Sequence, residues 1–194
     1  MASEVAICNR ALQKLGAQRI VSLDEDTKNA RESATAYPLL RDAELRAHPW
    51  SFAIRRRQLA ADADQPVFAD GQTAFVLPTD FLKLLADREV RDRQVEGRRV
   101  LTARRSEQLD IRYVARITDP NTFDPLFVEA LACRIAMELN ERITQSNTKK
   151  QLLFQDYDRA LDEARRANAL DRPPVTPVAS PWVRARVADS GGPA

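Results

Sequence analysis

RAHPWSFAIRRR, residues 46–57, decides how this chain divides. A helix-like stretch runs up to the single histidine, His48, and Pro49 stops it. Trp50 and Phe52 follow at once, and then comes a strand-like segment with Arg55, Arg56 and Arg57 in succession. A proline biases the residue before it away from the helical region, so the local period changes here. His48 and the arginines invite a catalytic or nucleic-acid reading, yet a histidine at a helix end needs only capping or packing to explain it.

Working towards the N-terminus, helical spacing persists. Ser3 is a good N-cap, Val5, Cys8, Leu12 and Leu15 follow on one stripe, and Gly16 supplies a left-handed stop. A second helix is expected from near Thr27 to His48, with Ala30, Ala34, Tyr37, Leu40 and Leu45 towards the core and a bend at Pro38. Towards the C-terminus, the segments FAIRRRQLA, TAFVLPTDF, RDRQVEGRRVLTA and EQLDIRYVARI alternate as strands do, with Glu96-Gly97 as a tight turn in the third. They predict one small, mostly antiparallel sheet.

Helical pattern then returns. Asp124 and Pro125 open a helix through about Ile143, with Phe127, Leu131, Ile135 and Leu139 on one stripe. TQSNT breaks it, and a fourth helix is expected from about Thr148 to Leu170. That helix should bury Leu152, Leu153, Tyr157, Leu161 and Ala164 and expose Arg159, Glu163, Arg165 and Arg166. The remainder, RPPVTPVASPWVRARVADSGGPA, has five prolines and no helical period, so it reads as an extended tail. The expected fold is mainly α: a bundle of about four helices (1–50 and 119–170), an inserted antiparallel β lobe (51–118) and a C-terminal arm (171–194).

Composition narrows function. With 194 residues, 44% of them apolar, the chain can build one well-buried core. Its 30 Lys and Arg nearly cancel 28 Asp and Glu, and a net charge of +2 is far from the footprint of a dedicated DNA binder. Cys8 and Cys133 sit among small and apolar neighbours on helix patterns and are expected to be buried, reduced thiols. No apolar run reaches the roughly 18 residues of a membrane span, and MASEVAICNR lacks the regions of a signal peptide, so no membrane role and a cytoplasmic origin are expected.

Catalytic patterns are missing: GxSxG, HExxH, CxxC and a phosphate loop do not occur, and five glycines leave little to cradle a phosphate. The carboxylates Asp24, Glu25 and Asp26 precede a helix start, where the helix dipole favours them without chemistry. The expectation is a protein with no catalytic residues, no cofactor and no metal. Between Arg88 and Arg105, seven arginines outnumber Glu89, Asp92 and Glu96. This segment reads as a solvated face of mixed charge, or as a surface passing close to phosphate. It is the sole support for an alternative reading as a helical nucleic-acid-binding or regulatory protein.

The succession NRALQKLGAQRIVSLDEDTKNAR, YPLLRDAELRAHPWSFA, FVLPTDFLKL, FDPLFVEALACRIAMEL and TQSNTKKQLLFQDYDRALDEARRANA resembles the head-to-tail adaptor (connector) proteins of tailed bacteriophages, the tail tubular protein A-like family. The similarity covers about Val5 to Leu170. It implies a virion protein at the head–tail junction, assembled in host cytoplasm as a ring, usually of twelve copies. The portal protein would sit above it, a nozzle or other tail protein below, and double-stranded DNA would pass through. On this resemblance Pro49, Trp50 and Phe52 pin the second helix to the β lobe, and Arg55 to Arg57 alternate across a strand. Arg98, Arg99, Arg104 and Arg105 become candidates for channel lining. The tail carries no motif of the family. Its Val175, Val178, Trp182, Val183, Arg184 and Arg186 are the candidates for docking to the portal or a neighbouring subunit.

Overall fold

Four helices and two small open sheets account for the regular structure of residues 2–65, 72–85, 92–103 and 107–171, the parts described by a computed structural model. Each helix begins on a local signal. Ser3 accepts the Ala6 N–H to start α1 (Glu4–Leu15), and Gly16, at φ 71°, ends it by donating to the carbonyls of Leu12 and Gln13. Thr27 caps α2 (Lys28–Ala47), which runs through Pro38. That proline lies on an exposed stretch, where the backbone carbonyl it leaves unpaired can meet water. Asp124 accepts from Leu126 and Phe127 at the start of α3 (Pro125–Ile143), with Pro125 in the first turn.

The break before α4 (Asn147–Leu170) is built from α3 itself. Buried Asn140 accepts the Thr144 and Gln145 N–H groups on its backbone oxygen, each at 2.9 Å, and its side chain donates to Ser146 O at 3.0 Å. Gln145 takes a positive φ of 52°, the turn that reverses the chain. Ser146 then caps α4.

α3 is the central helix, packed against α1, α2 and, most extensively, α4. Phe127, Leu131, Ile135 and Leu139 are all buried on it, as the stripe predicts. The α4 expectation needs correction. Leu153, Leu161 and Ala164 are buried and Tyr157 partly so, but Leu152 is 57% exposed. A helix turns 100° per residue, and the rotation that seats Leu153 against α3 carries Leu152 out to solvent. Leu40 is only partly buried at the edge of the core.

Between α2 and α3 the strands form two antiparallel sheets, not one. β1 (Ile54–Ala60), β6 (Gln108–Ala115) and β3 (Phe81–Leu84) make the first, in that order; β2 (Thr73–Val76), β5 (Arg99–Thr102) and β4 (Gln94–Glu96) make the second. TAFVLPTDF contains β2 and only the first residue of β3, with Pro78 between them where the chain passes from one sheet to the other. An isolated bridge between Ala61 and Phe75 and the bond from Asp62 N–H to Ala74 O join the sheets. The β4–β5 hairpin turns at Gly97-Arg98, one residue later than the expected Glu96-Gly97; Gly97 has φ 55°, fitting glycine at the first loop position. Among the described residues no helix is long and apolar enough to cross a membrane.

Candidate functional site

The HPWSF stretch is where the helices meet the strands. α2 ends at Ala47, His48 leaves the helix extended, and residues Ser51–Ala53 make one 3-10 turn before β1. Trp50 is 1% exposed and donates its indole N–H to Glu44 O at 3.0 Å. Its ring meets Phe127 of α3 edge-on at 5.0 Å, and Phe52 stands 5.1 Å from Phe127 and 5.7 Å from Phe123. Phe123 lies on the return from β6 to α3, so both chain crossings between helices and strands pass through one aromatic cluster. Such pairs contribute about 0.5–1.5 kcal/mol each beyond the area they bury.

Asn168, near the end of α4, closes the joint. Its Oδ1 accepts the Ser51 N–H at 2.7 Å, and its Nδ2 lies 2.9 Å from His48 Nε2 and 3.4 Å from Pro49 O. The Ser51 bond fixes which end of the carboxamide is oxygen, so Nδ2 donates and His48 Nε2 accepts. That ring nitrogen is therefore occupied by structure. His48 also packs edge-on against Trp50 at 4.7 Å.

Glu44 binds the same region from below. Its buried carboxylate accepts the Tyr157 hydroxyl at 2.7 Å and lies 3.7 Å from Arg134 Nε, linking α2, α4 and α3. Burial and this carboxylate together raise the Tyr157 phenol well above its ordinary pKa. Two further ties fasten α2 to the strands: Asp42 pairs with Arg116 at 2.6 Å, and Arg46 donates to Leu82 O. Neither Glu44 nor Asn168 stood out in the sequence, since a polar residue inside a charged helix gives no local sign of its distant partner.

Pro49, Trp50 and Phe52 are thus brought together. Of the described arginines in the 88–105 segment, Arg98 and Arg99 are engaged, while Arg93 keeps Nε and Nη1 buried with no hydrogen-bond partner among the described residues. Arg99 pairs with Asp62 at 2.7 Å and Asp64 at 3.5 Å, while exposed Arg98 donates to Pro78 O at 2.9 Å. Asp62 sits below the usual carboxylate range, held there by the Asp64 N–H and by Arg99. Arg104, Arg105, Val175, Val178, Trp182, Val183, Arg184 and Arg186 lie outside the described residues.

Arg55, Arg56 and Arg57 are all exposed on β1, and the register puts Arg56 directly opposite Arg112. Both cysteines are free and buried. Burial, with Glu4 nearby, pushes the Cys8 thiol up to about 12, and burial raises Cys133, so neither is a ready thiolate. Among the described residues no group of His, Cys, Asp and Glu is arranged to hold a metal. No protein-family model matches the chain, and no curated protein does.

Proposed function

We propose that the chain is a structural connector of a tailed-phage virion, joining the portal to the tail as one subunit of a ring around the DNA conduit. In this reading the four helices form a bundle carrying an inserted β lobe, and the C-terminal segment is an extended docking arm. The observation that carries it is the joint. Trp50, Phe52, Phe123 and Phe127 clamp both chain crossings, while Asn168 bonds to the backbone of the first. A subunit that must transmit position from a ring above to a tail below needs its two parts held at one angle. A packed aromatic cluster with satisfied polar groups does that, because it has no soft direction in which to yield.

Charge supports the same reading. Ion pairs such as Arg99 with Asp62, Arg116 with Asp42 and Arg142 with Glu32 neutralise part of the basic surface. A conduit coated in free cations would grip DNA in a salt-dependent way and slow its passage.

The test is attachment. Purified chain mixed with portal rings should form a closed ring visible by electron microscopy, and should be monomeric or weakly associated without them. Failure to bind portal rings of its own phage overturns the reading.

A further inference from the structure

We infer that the outer face of the first sheet, around Arg56 and Arg112, is a contact surface for the phosphodiester backbone of double-stranded nucleic acid. Arg56 of β1 and Arg112 of β6 are direct cross-strand partners. Like charges in that position repel and destabilise a sheet. Several cations elsewhere are matched: Arg10 and Lys14 share Glu129, Arg99 has Asp62, Arg116 has Asp42 and Arg142 has Glu32. Among the described residues neither Arg56 nor Arg112 makes an ion pair.

Arg56 and Arg112 border an open depression of about 410 Å³ together with Gln58 and Asp110 of the same face; Arg57 and Ile111, also at its edge, belong to the opposite face of the sheet. Asp110 is the one carboxylate in that lining, and Gln58 Nε2 donates to it at 3.1 Å. The row continues onto the third strand. Lys83 of β3 pairs with Val114, two residues from Arg112 and on the same face, and it too makes no ion pair among the described residues. Strands lie about 4.8 Å apart, so three cations on three strands cover about 10 Å. That breadth exceeds what one phosphate touches and suits a repeating polyanion.

Guanidinium forks match phosphate oxygens in pairs. The lining holds no aromatic ring on which an unpaired base could stack, which favours a duplex backbone over single strands. The surface stands independently of the connector reading, whose test is portal attachment, so either can fail alone.

The experiment is fluorescence anisotropy of a labelled duplex of arbitrary sequence with the full chain, over a salt series. Three phosphate contacts give a slope of log affinity against log salt of about −2.7, at about −0.9 per contact. Arg56→Gln with Arg112→Gln should weaken binding and shrink the slope by about 2, and Arg112→Gln alone by about 1. Arg98→Gln with Arg99→Gln should leave the slope unchanged. The thermal midpoint of the Arg56/Arg112 variant should hold or rise, because a repulsion is removed, and it reports that the variant is folded. An unchanged slope in that variant, no binding of wild type at low salt, or equally tight binding of polyglutamate would each overturn the inference.

Discussion

Asn168 accepts the backbone N–H of Ser51 at 2.7 Å across 117 positions of sequence. This one bond ties the last turn of α4 to the point where α2 gives way to β1. It also orients the Asn168 carboxamide so that its other end serves His48 and Pro49.

Asn168→Ala should therefore remove the bonds to a part-buried N–H and to a half-buried ring nitrogen, at a cost of about 0.5–1.5 kcal/mol. Urea unfolding followed by tryptophan fluorescence measures it. A loss under about half a kcal/mol, the scale of an ordinary surface change, would show that water replaces the amide and that the joint does not depend on it.

The helix core separates by rotation. Leu131 and Ile135 are fully buried on α3 and Leu152 is 57% exposed on α4. Truncation to Ala at Leu131 or Ile135 should cost about 2–5 kcal/mol, while Leu152→Ala should stay within about 0.5 kcal/mol. Equal losses at Leu131 and Leu152 would mean that α4 sits rotated from the orientation described.

Glu129 links α1 to α3 by pairing with Arg10 at 2.9 Å and Lys14 at 2.7 Å, and the Arg10 bond holds its carboxyl below the usual range. A carboxylate whose folded pKa is depressed stabilises the fold above its unfolded value of about 4.3 and loses that contribution as pH falls. Glu129→Gln should thus lower the unfolding free energy at pH 7, by no more than about 1 kcal/mol for a pair still reached by solvent. The gap between variant and wild type should close as pH falls below about 4. A gap that persists undiminished at pH 3 would assign the effect to packing instead.

Replacing Arg98, Arg99, Arg104 and Arg105 together by Gln should leave portal attachment intact. Arg99 is engaged within its own sheet region and Arg98 on a backbone carbonyl, and exposed charges tune encounter more than they hold an interface. Cosedimentation with portal rings checks this, and a variant that no longer attaches would move the segment into the interface.

Truncation after Asp171 addresses the proposed arm. In that proposal Pro173, Pro174, Pro177 and Pro181 would lower the entropy lost on docking, and Val175, Val178, Trp182 and Val183 would supply apolar anchors. The truncated chain should fold with an unchanged midpoint yet attach weakly to portal rings, with Trp182→Ala reproducing part of the loss. Normal attachment by the truncated chain would remove the arm from the docking surface.

The sequence by itself determined where each helix begins and where the helical period gives way to strands. Ser3, Thr27 and Asp124 cap helices where expected, Gly16 ends one, and Pro49 marks the change at residue 48, while the fourth helix, expected from about Thr148, starts one residue earlier on the Ser146 cap. These are legible because a cap is made between residues two or three apart, and needs nothing from the rest of the chain. The apolar stripe of α3 was legible for the same reason.

Only the tertiary structure decided which face of α4 is buried, that the chain passes from one sheet to the other around Pro78, and that Glu44 and Asn168 sit inside the joint. It alone set Arg56 against Arg112, while Arg98 and Arg99, the more conspicuous pair in the sequence, are drawn to Pro78 and to Asp62 with Asp64. Those outcomes turn on partners far apart along the chain. Residue order gives periodicity along each element but not the rotation or register at which elements meet, and packing fixes these only once α3 is in place between its neighbours.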